Sequence, residues 1–246
     1  GIGPRYVFTK NLQRLFAANF GEDGRHDPMS RPRMRDWYVV LRQAADLTVT
    51  CGYCGNTFLF PPENFQDCRC PFCKAGREGK RVPVIAAVMT DQFHVDRILR
   101  AVNEEIDSFN HSGGYQVEPV SVDALKQRRS AGIKMIDNVD GHYFLYNYHT
   151  GDPSFSEKCE KTIEIEISRG TYLIRNLMDR VIRIGSPGRD YGEIPPSGSK
   201  RVDSIHNLIL TMSVLKDGME DHIGDDTFTT DDIMHLRERQ IQFVRV

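Results

Sequence analysis

Two cysteine pairs separated by fifteen residues constrain this chain more than any other feature of its sequence. The first pair is Cys51-Gly-Tyr-Cys54 and the second is Cys70-Pro-Phe-Cys73. Each Cys-x-x-Cys turn aims two thiolates at one point, and two such turns make the tetrahedral all-sulfur shell that zinc favours. Thiolates also bind iron, but a single four-cysteine set with a short hairpin between its halves is typical of zinc. We therefore predict a zinc ribbon whose metal is structural, because protein fills all four ligand positions.

The other two cysteines leave one alternative for the ligand set. Cys68 lies two residues before Cys70 and is a second candidate for that ligand, although the spacing to Cys73 favours Cys70. Cys159 stands alone in a polar stretch and is predicted to be a spectator. A pair of disulfides would need an oxidising compartment. Since we recognise no signal peptide and no apolar run of membrane-spanning length, we expect a cytoplasmic location, where such pairs indicate metal sites.

Composition argues against nucleic acid and membrane partners. The formal net charge is −2, and hydrophobic and charged residues make up 39% and 27% of the chain, as in a soluble globular protein. Five basic residues surround the second cysteine pair, and we interpret them as a solvated rim: Arg69, Lys74, Arg77, Lys80 and Arg81. The expected partners are therefore proteins.

The first fifty residues are predicted to be helical with one interruption. Apolar residues recur at helical spacing from Lys10 onward, at Leu12, Leu15, Phe16 and Phe20. Glycines and an Asp-Pro pair at 21–28 predict a loop, and Ser30-Arg31-Pro32 predicts a new helix with its proline in the first turn. The apolar face of that helix is predicted from Trp37, Val40, Leu41 and Ala44.

This stretch resembles the last two helices of the C-lobe of a eukaryotic-like Ser/Thr protein kinase. The resemblance lies in Asp27-Pro-Met-Ser-Arg-Pro followed by Asp36-Trp37 and Leu41. It is also similar to bacterial kinases in which the same run precedes a zinc ribbon and further domains. In kinases the arginine of the Arg-Pro pair, here Arg31, bonds an upstream glutamate, so the resemblance implies an upstream kinase lobe as a partner.

No kinase catalytic motif occurs in the sequence. A kinase needs a glycine-rich loop, a phosphate-binding lysine, a catalytic aspartate and an Asp-Phe-Gly metal site, whereas this chain has neither Asp-Phe-Gly nor His-Arg-Asp. We predict no catalytic residues here, and ATP and magnesium are expected only if an upstream kinase lobe exists. The chain is then either the carboxyl-terminal part of a larger kinase or a free-standing protein that keeps its last helices.

A connecting α/β unit is predicted after Lys80. The apolar run from Val82 to Met89 predicts a buried strand. Thr90-Asp91 is predicted to cap a helix from Gln92 through Ile106.

The remainder reads mostly as strands. Thr162 to Ile167 alternates cleanly, so Ile163, Ile165 and Ile167 are predicted to face one core. Further strands are predicted at 133–136, 141–148, 172–175, 181–184, 208–212 and 242–246. We predict a loop at 185–199 and an inserted helix at 229–238. A small antiparallel sandwich or barrel is the preferred architecture.

Two further sequence patterns bear on the function of this β-rich region. Ser168-Arg169-Gly170 with the later His206 resembles part of the phosphopeptide-binding motif of forkhead-associated domains, but the expected Gly-Arg is absent and Ser168 is predicted to end a strand. The eight histidines are scattered without metal-ligand spacing. Two of them, His142 and His149, flank an aromatic strand and are predicted to be solvated.

The sequence thus predicts a multi-domain α+β chain with four segments. These are helices similar to the end of a kinase C-lobe at 1–46, a zinc ribbon at 47–80 with ligands Cys51, Cys54, Cys70 and Cys73, a connecting unit at 81–132, and a β-rich domain at 133–246. The predicted function is a non-catalytic regulatory or docking region of a bacterial Ser/Thr kinase. The alternative is a free-standing zinc-ribbon adaptor that binds protein or nucleic acid.

Overall fold

The computed structural model describes residues 8–60, 68–93, 129–151, 159–213 and 237–246. It divides the chain into two compact units. Unit 1 comprises Gly1–Val88, Gly132–Asp140 and Phe243–Val246, and unit 2 comprises Met89–Ala131 and Gly141–Gln242. The class is α+β with mostly antiparallel sheets, as predicted. The division into four segments and the choice between sandwich and barrel stay predictions.

Three helices open unit 1. Helix α1 is Lys10–Phe20 and begins at Thr9, whose hydroxyl accepts the Leu12 N–H at 3.1 Å. Helix α2 is Glu22–His26, and a 3₁₀ turn at Pro28–Ser30 leads to helix α3, Met34–Asp46. The predicted loop at 21–28 is therefore largely helical.

Helix α3 differs from its prediction in two ways. It begins at Met34, where the Asp36 carboxylate accepts the Arg33 N–H at 2.9 Å, so Pro32 precedes the first turn. Leu41, predicted to lie on the apolar face, is 50% exposed. The inward face is the one with Trp37, Val40 and Ala44.

In its described residues, the ribbon segment consists of a hairpin and one short helix. Strands β1, Thr48–Thr50, and β2, Thr57–Leu59, pair antiparallel. Val49 and Phe58 stand opposite each other and are both buried. Helix α4, Lys74–Arg77, follows the second cysteine pair.

Ten further strands and one helical turn complete the described fold: β3 Val84–Phe93, β4 Arg129–Asp137, β5 Gly141–Tyr146, α5 Asn147–Thr150, β6 Lys161–Ser168, β7 Thr171–Asn176, β8 Ile182–Ser186, β9 Arg189–Ile194, β10 Ser199–Val202, β11 Ile209–Ser213 and β12 Arg237–Arg245. One sheet has the order β10-β7-β6-β5 and the other β4-β3-β12-β11-β8-β9.

The four-stranded sheet confirms the alternation predicted for β6. Ile163, Ile165 and Ile167 are all buried, because successive side chains of a strand point to opposite faces. Ser168 ends β6 as predicted, and Arg169-Gly170 makes a two-residue hairpin with positive φ at both positions, 49° and 77°. The Ser-Arg-Gly motif is therefore a strand-to-strand turn.

Strand β3 corrects the prediction of a helix capped by Thr90-Asp91. The strand continues to Phe93, and Asp91 is buried in unit 2 with Arg239. Arg239 Nε and Nη2 donate to the two carboxylate oxygens at 2.6 and 3.1 Å, and Nη1 donates to the His149 carbonyl at 2.8 Å. A bidentate arginine pair holds Asp91 in the strand. The rest of the predicted helix lies outside the described residues.

Two other predictions fail in the β-rich region. The stretch 185–199, predicted as a loop, contains β9, and Ser199 begins β10. In the predicted helix at 229–238, Arg237 and Glu238 belong to β12, and the remaining residues lie outside the described ranges.

Strand β9 ends the six-stranded sheet, and side chains bond two of its backbone groups. The Lys200 ammonium donates to the Tyr191 carbonyl. The Asp190 carboxylate accepts the Gly192 N–H at 2.7 Å. Both lie where the register with β8 shifts.

Loop 177–181 is held by a buried amide. Asn176 is fully buried, and its Nδ2 lies 2.7, 3.1 and 3.2 Å from the carbonyls of Arg180, Ile194 and Pro195. Its Oδ1 accepts the Met178 N–H at 3.0 Å. The side chain thus supplies hydrogen bonds that the backbone of this loop would otherwise lack.

Candidate metal centre

The two cysteine pairs occupy two backbone turns of unit 1. After β1, the Gly55 N–H donates to the Cys51 carbonyl at 2.8 Å, and Gly55 has a positive φ of 71° that favours glycine. Before α4, Cys73 is the N-cap residue, and its sulfur accepts the Gly76 N–H at 3.4 Å. Each turn therefore directs two sulfurs to the same side of its backbone.

The four sulfurs form one compact cluster. Those of Cys51, Cys54, Cys70 and Cys73 all lie within 4.8 Å of one another. The Cys54 and Cys70 sulfurs are 3.7 Å apart, and those of Cys51 and Cys73 are 4.0 Å apart. A tetrahedral zinc with bonds of about 2.3 Å sets its sulfurs roughly 3.8 Å apart. The cluster can therefore hold a metal ion such as zinc.

N–H groups point at three of the sulfurs. The Phe72 N–H donates to Cys70 at 3.4 Å, the Gly76 N–H donates to Cys73, and the Asn56 side-chain amide donates to Cys54 at 3.5 Å. Such donors stabilise thiolate over thiol and orient metal ligands. The donor set fits a cation bound by four thiolates.

Gly76 allows the backbone of α4 to lie close to the Cys70 carbonyl. A Cβ built on Gly76 would lie 1.9 Å from the Cys70 carbonyl oxygen, well inside any possible contact. A larger residue would therefore push Cys70 away from the cluster.

Without a cation, the cluster does not favour four thiolates. The backbone hydrogen bond from Asn56 lowers the pKa of Cys54 to about 7. Burial raises the pKa of Cys70 to about 12, because the charged form loses hydration. A bound cation would supply the charge that lets both sulfurs ionise.

The remaining cysteines are not members of the cluster. Cys68 is buried and Cys159 is exposed. Among the residues that the structure describes, no other group of three or more histidine, cysteine or acidic side chains is close enough to hold a metal ion.

The cysteine cluster is part of a continuous apolar core within unit 1. Cys51, Cys68 and Cys70 pack in one buried group with residues in or beside the hairpin and strands β3 and β4: Val49, Phe58, Phe60, Val82, Val84, Ala86 and Met135. A second buried group joins Leu12 of α1 and Ala44 of α3 to Leu59 of β2. Leu47 packs against both groups. The ribbon thus lies between the helices and the strands that share its unit.

The run from Asp27 to Leu41 has local partners. Arg31 Nε donates to the Gly24 carbonyl at 2.6 Å, and Asp27 Oδ1 accepts the Met29 N–H at 2.9 Å. Trp37 packs edge-on against Phe16, with ring centroids 5.2 Å apart.

Several polar contacts were not predictable from short sequence patterns or were not predicted. Asn56 beside the cluster was identifiable, since it is an amide two residues after a ligand cysteine. Arg239 and Asp91 gave no signal, because 148 residues separate them.

The two histidines that flank β5 have different environments. His149, predicted to be solvated, is 2% exposed, and its Nδ1 accepts the Tyr146 N–H at 2.9 Å. His142 is exposed, and its Nδ1 lies 2.8 Å from a Glu164 carboxylate oxygen. The prediction was therefore wrong for one of the two.

No protein-family model, curated protein or solved structure matches this chain. No helix in the described ranges is long and apolar enough to cross a membrane.

Proposed function

We propose that this chain is a non-catalytic regulatory or partner-docking region of a bacterial Ser/Thr protein kinase, in which a structural zinc fixes the geometry of unit 1. The observation that carries the proposal is the four-sulfur cluster inside a core shared by helices and strands. Cys51, Cys54, Cys70 and Cys73 would hold the metal, which supplies cross-links between two turns of the chain.

A structural metal suits this position because the surrounding elements are short. Strands β1 and β2 have three residues each, and α4 has four. Elements of this length are marginal without tertiary support. A metal that joins these short elements would fix the position of Leu59, which packs against the helices, relative to Val84 and Met135 of strands β3 and β4.

The helices supply a surface suited to docking. Of eleven large apolar side chains exposed among the described residues, seven lie between residues 8 and 41: Phe8, Phe16, Phe20, Met29, Met34, Tyr38 and Leu41. Phe16 contacts Phe8 and Phe20, with ring centroids 5.4 and 5.9 Å apart, and an exposed apolar cluster is typical of interaction sites. The kinase connection rests on the run from Asp27 to Leu41, and an upstream kinase lobe would be the partner. ATP and magnesium would bind that lobe.

One observation favours the alternative of a free-standing adaptor. Arg31, which the kinase resemblance pairs with an upstream glutamate, bonds the Gly24 carbonyl inside this chain. On that alternative the exposed Tyr53, with the Lys80 ammonium 5.9 Å from its ring centre, belongs to a surface for protein or nucleic acid. Nucleic-acid binding would weaken steeply with salt.

The first experiment measures zinc in the purified chain and reads the natural gene upstream of Gly1. We expect one zinc per chain and a reading frame that encodes an ATP-binding lobe. A chain without metal would contradict the structural zinc, and a gene without an upstream lobe would leave the adaptor.

A matched pair of variants tests the docking surface. The upstream polypeptide, expressed separately, should co-purify with the wild-type chain and with Val181→Glu, whose site is exposed in unit 2, but not with Leu41→Glu. Equal recovery with both variants would exclude the helices as the docking surface.

A further inference from the structure

The four cysteines of the cluster differ in their access to solvent. Cys54 is exposed, Cys73 is intermediate, and Cys51 and Cys70 are buried. The neighbours of Cys54 at Gly52, Tyr53 and Gly55 are also exposed, so reagents reach this sulfur from an open surface. Thiolate character and exposure together decide which cysteine an oxidant attacks first.

The sulfur of Cys70 is the partner closest to this exposed position. It lies 3.7 Å from the Cys54 sulfur. The sulfurs of Cys51 and Cys73 are 4.0 Å apart, and neither residue is as exposed as Cys54. To form a disulfide, the Cys54 and Cys70 sulfurs must approach each other by about 1.7 Å. The Gly52-Tyr53 turn is open to solvent, and nothing lies within 4 Å of a Cβ built on Gly52. That turn therefore has room to move.

We propose that Cys54 is a modification site at which hydroperoxides attack the metal-bound cluster, and that Cys70 resolves the product into a disulfide. This proposal rests on the structural zinc proposed above. The Cys54 thiolate attacks one peroxide oxygen, the O–O bond breaks, hydroxide leaves, and Cys54 becomes a sulfenic acid. The Cys70 thiolate then attacks the Cys54 sulfur, an S–S bond forms and a second hydroxide leaves. Two electrons pass from the two sulfurs to the peroxide, and the metal loses two of its four ligands.

Asn56 is a positioning residue for this step. Its side-chain amide donates to the Cys54 sulfur at 3.5 Å, and its backbone N–H also bonds that sulfur. Hydrogen bonds to a thiolate occupy the lone pairs that would attack an electrophile. The Asn56 amide therefore slows the reaction and sets how much peroxide the cluster withstands.

Loss of the metal would reach beyond the ribbon turns of unit 1. Cys70 belongs to the buried group that includes Val84 and Met135, and Leu47 connects that group to the helices. Oxidation at one exposed sulfur would thereby loosen the packing that holds the exposed apolar side chains of α1 and α3.

The test treats the zinc-loaded chain with hydrogen peroxide and follows zinc release with a chromogenic chelator. Peptide mapping after alkylation then identifies the oxidised cysteines. We expect zinc release to parallel a Cys54–Cys70 disulfide, while the exposed Cys159 oxidises without releasing zinc. A first disulfide or sulfenic acid at Cys51 or Cys73 would overturn the proposal.

Cys54→His keeps a zinc ligand at the exposed position and removes its thiol. Zinc release by peroxide should slow at least tenfold, and an unchanged rate would contradict the role of Cys54. If this variant binds no zinc, the peptide map of the wild-type chain still decides the question. A wild-type chain that contains no zinc would instead contradict the proposed function.

Asn56→Ala removes only the side-chain donor. Zinc release should become about three- to tenfold faster, the size expected of one lost hydrogen bond. Gly52→Ala is the control, since it adds a methyl group to the same turn in open space. Equal rates in the two variants would mean that Asn56 has no positioning role.

Discussion

The ribbon and the four-stranded sheet reach order by different physical routes. In the sheet, strands β5 to β7 have six to eight residues and bury Leu145, Ile163, Ile165 and Ile174 completely. In the ribbon, each strand has three residues and buries one or two. Apolar burial at about 25 cal/mol per Å² stabilises the sheet, whereas we expect so small a ribbon to depend on a cross-link such as a metal.

The two regions also treat buried polar groups differently. In the four-stranded sheet, the buried Asn176 amide at the end of β7 lies within hydrogen-bonding distance of three backbone carbonyls, so protein groups satisfy this side chain. In unit 1, the sulfurs of the cluster face one another, and the pKa values of Cys54 and Cys70 move in opposite directions. The difference is the basis for the proposal that a cation stabilises the ribbon, whereas the sheet folds without one.

Removing a ligand should therefore have the largest effect, and it should fall within unit 1. Cys70→Ser should abolish zinc binding and with it all the stabilisation that the metal gives the folded ribbon by mass action. Hydrogen exchange should show loss of protection in the ribbon hairpin and retained protection in β6 and β7. Cys159→Ser is the matched control and should change neither metal content nor exchange. Full zinc occupancy in the Cys70 variant would contradict the assignment of Cys70 as a ligand.

Breaking the buried ion pair should have the next largest effect, confined to unit 2. Asp91→Ala leaves the Arg239 guanidinium buried without its carboxylate and should cost about 3–5 kcal/mol in urea unfolding. Zinc content should not change. Asp91→Leu combined with Arg239→Met should recover most of the loss, because no buried charge remains. A single variant as stable as wild type would contradict the structural role of this pair.

A smaller change in the sheet core tests whether apolar burial stabilises it. Ile165→Val removes one methylene from a fully buried site and should cost about 0.5–1.5 kcal/mol. Thermal unfolding in the presence and absence of a chelator should show the same difference. A difference that depends on metal would mean that the sheet and the ribbon do not differ as proposed.

The surface of the same sheet should give the smallest effect, and one that depends on pH. Arg175 donates to Glu164 at 2.8 Å, His142 lies 2.8 Å from the same carboxylate, and these bonds lower the pKa of Glu164 below its ordinary value near 4.5. A lowered pKa in the folded state contributes stability above the unfolded pKa, and this is lost as pH falls through the folded pKa.

Acid unfolding of Glu164→Gln checks this sign. The variant should be slightly less stable than wild type at neutral pH, and the two should converge at acidic pH. Glu160→Gln, at an exposed neighbouring position, should follow wild type throughout. A difference in stability between wild type and Glu164→Gln that grows as the pH falls would contradict a lowered pKa of Glu164 in the folded protein.

Short sequence patterns predicted the parts of the fold that depend on residues close together in the chain. The cysteine spacing located the cluster, and the alternation at 162–167 predicted the buried face of β6. Strand β9 escaped prediction because only Tyr191 and Ile194 interrupt its polar residues, a composition common at a sheet edge. The end of β3 escaped because Asp91 is held by a residue far along the chain. The core that joins ribbon and helices likewise depends on contacts that no short window contains.

The side-chain hydrogen bonds to the β9 backbone have a consequence for the protein at high concentration. A terminal strand offers its outward amides and carbonyls as a template for any strand that meets it, which is how soluble proteins begin to polymerise. Here Lys200 covers one carbonyl and Asp190 covers one amide, at a kink that already interrupts the regular spacing. A second molecule that approached this edge would have to displace an ammonium and a carboxylate before its first rung could form. We therefore expect the β9 edge to resist fibrous self-association.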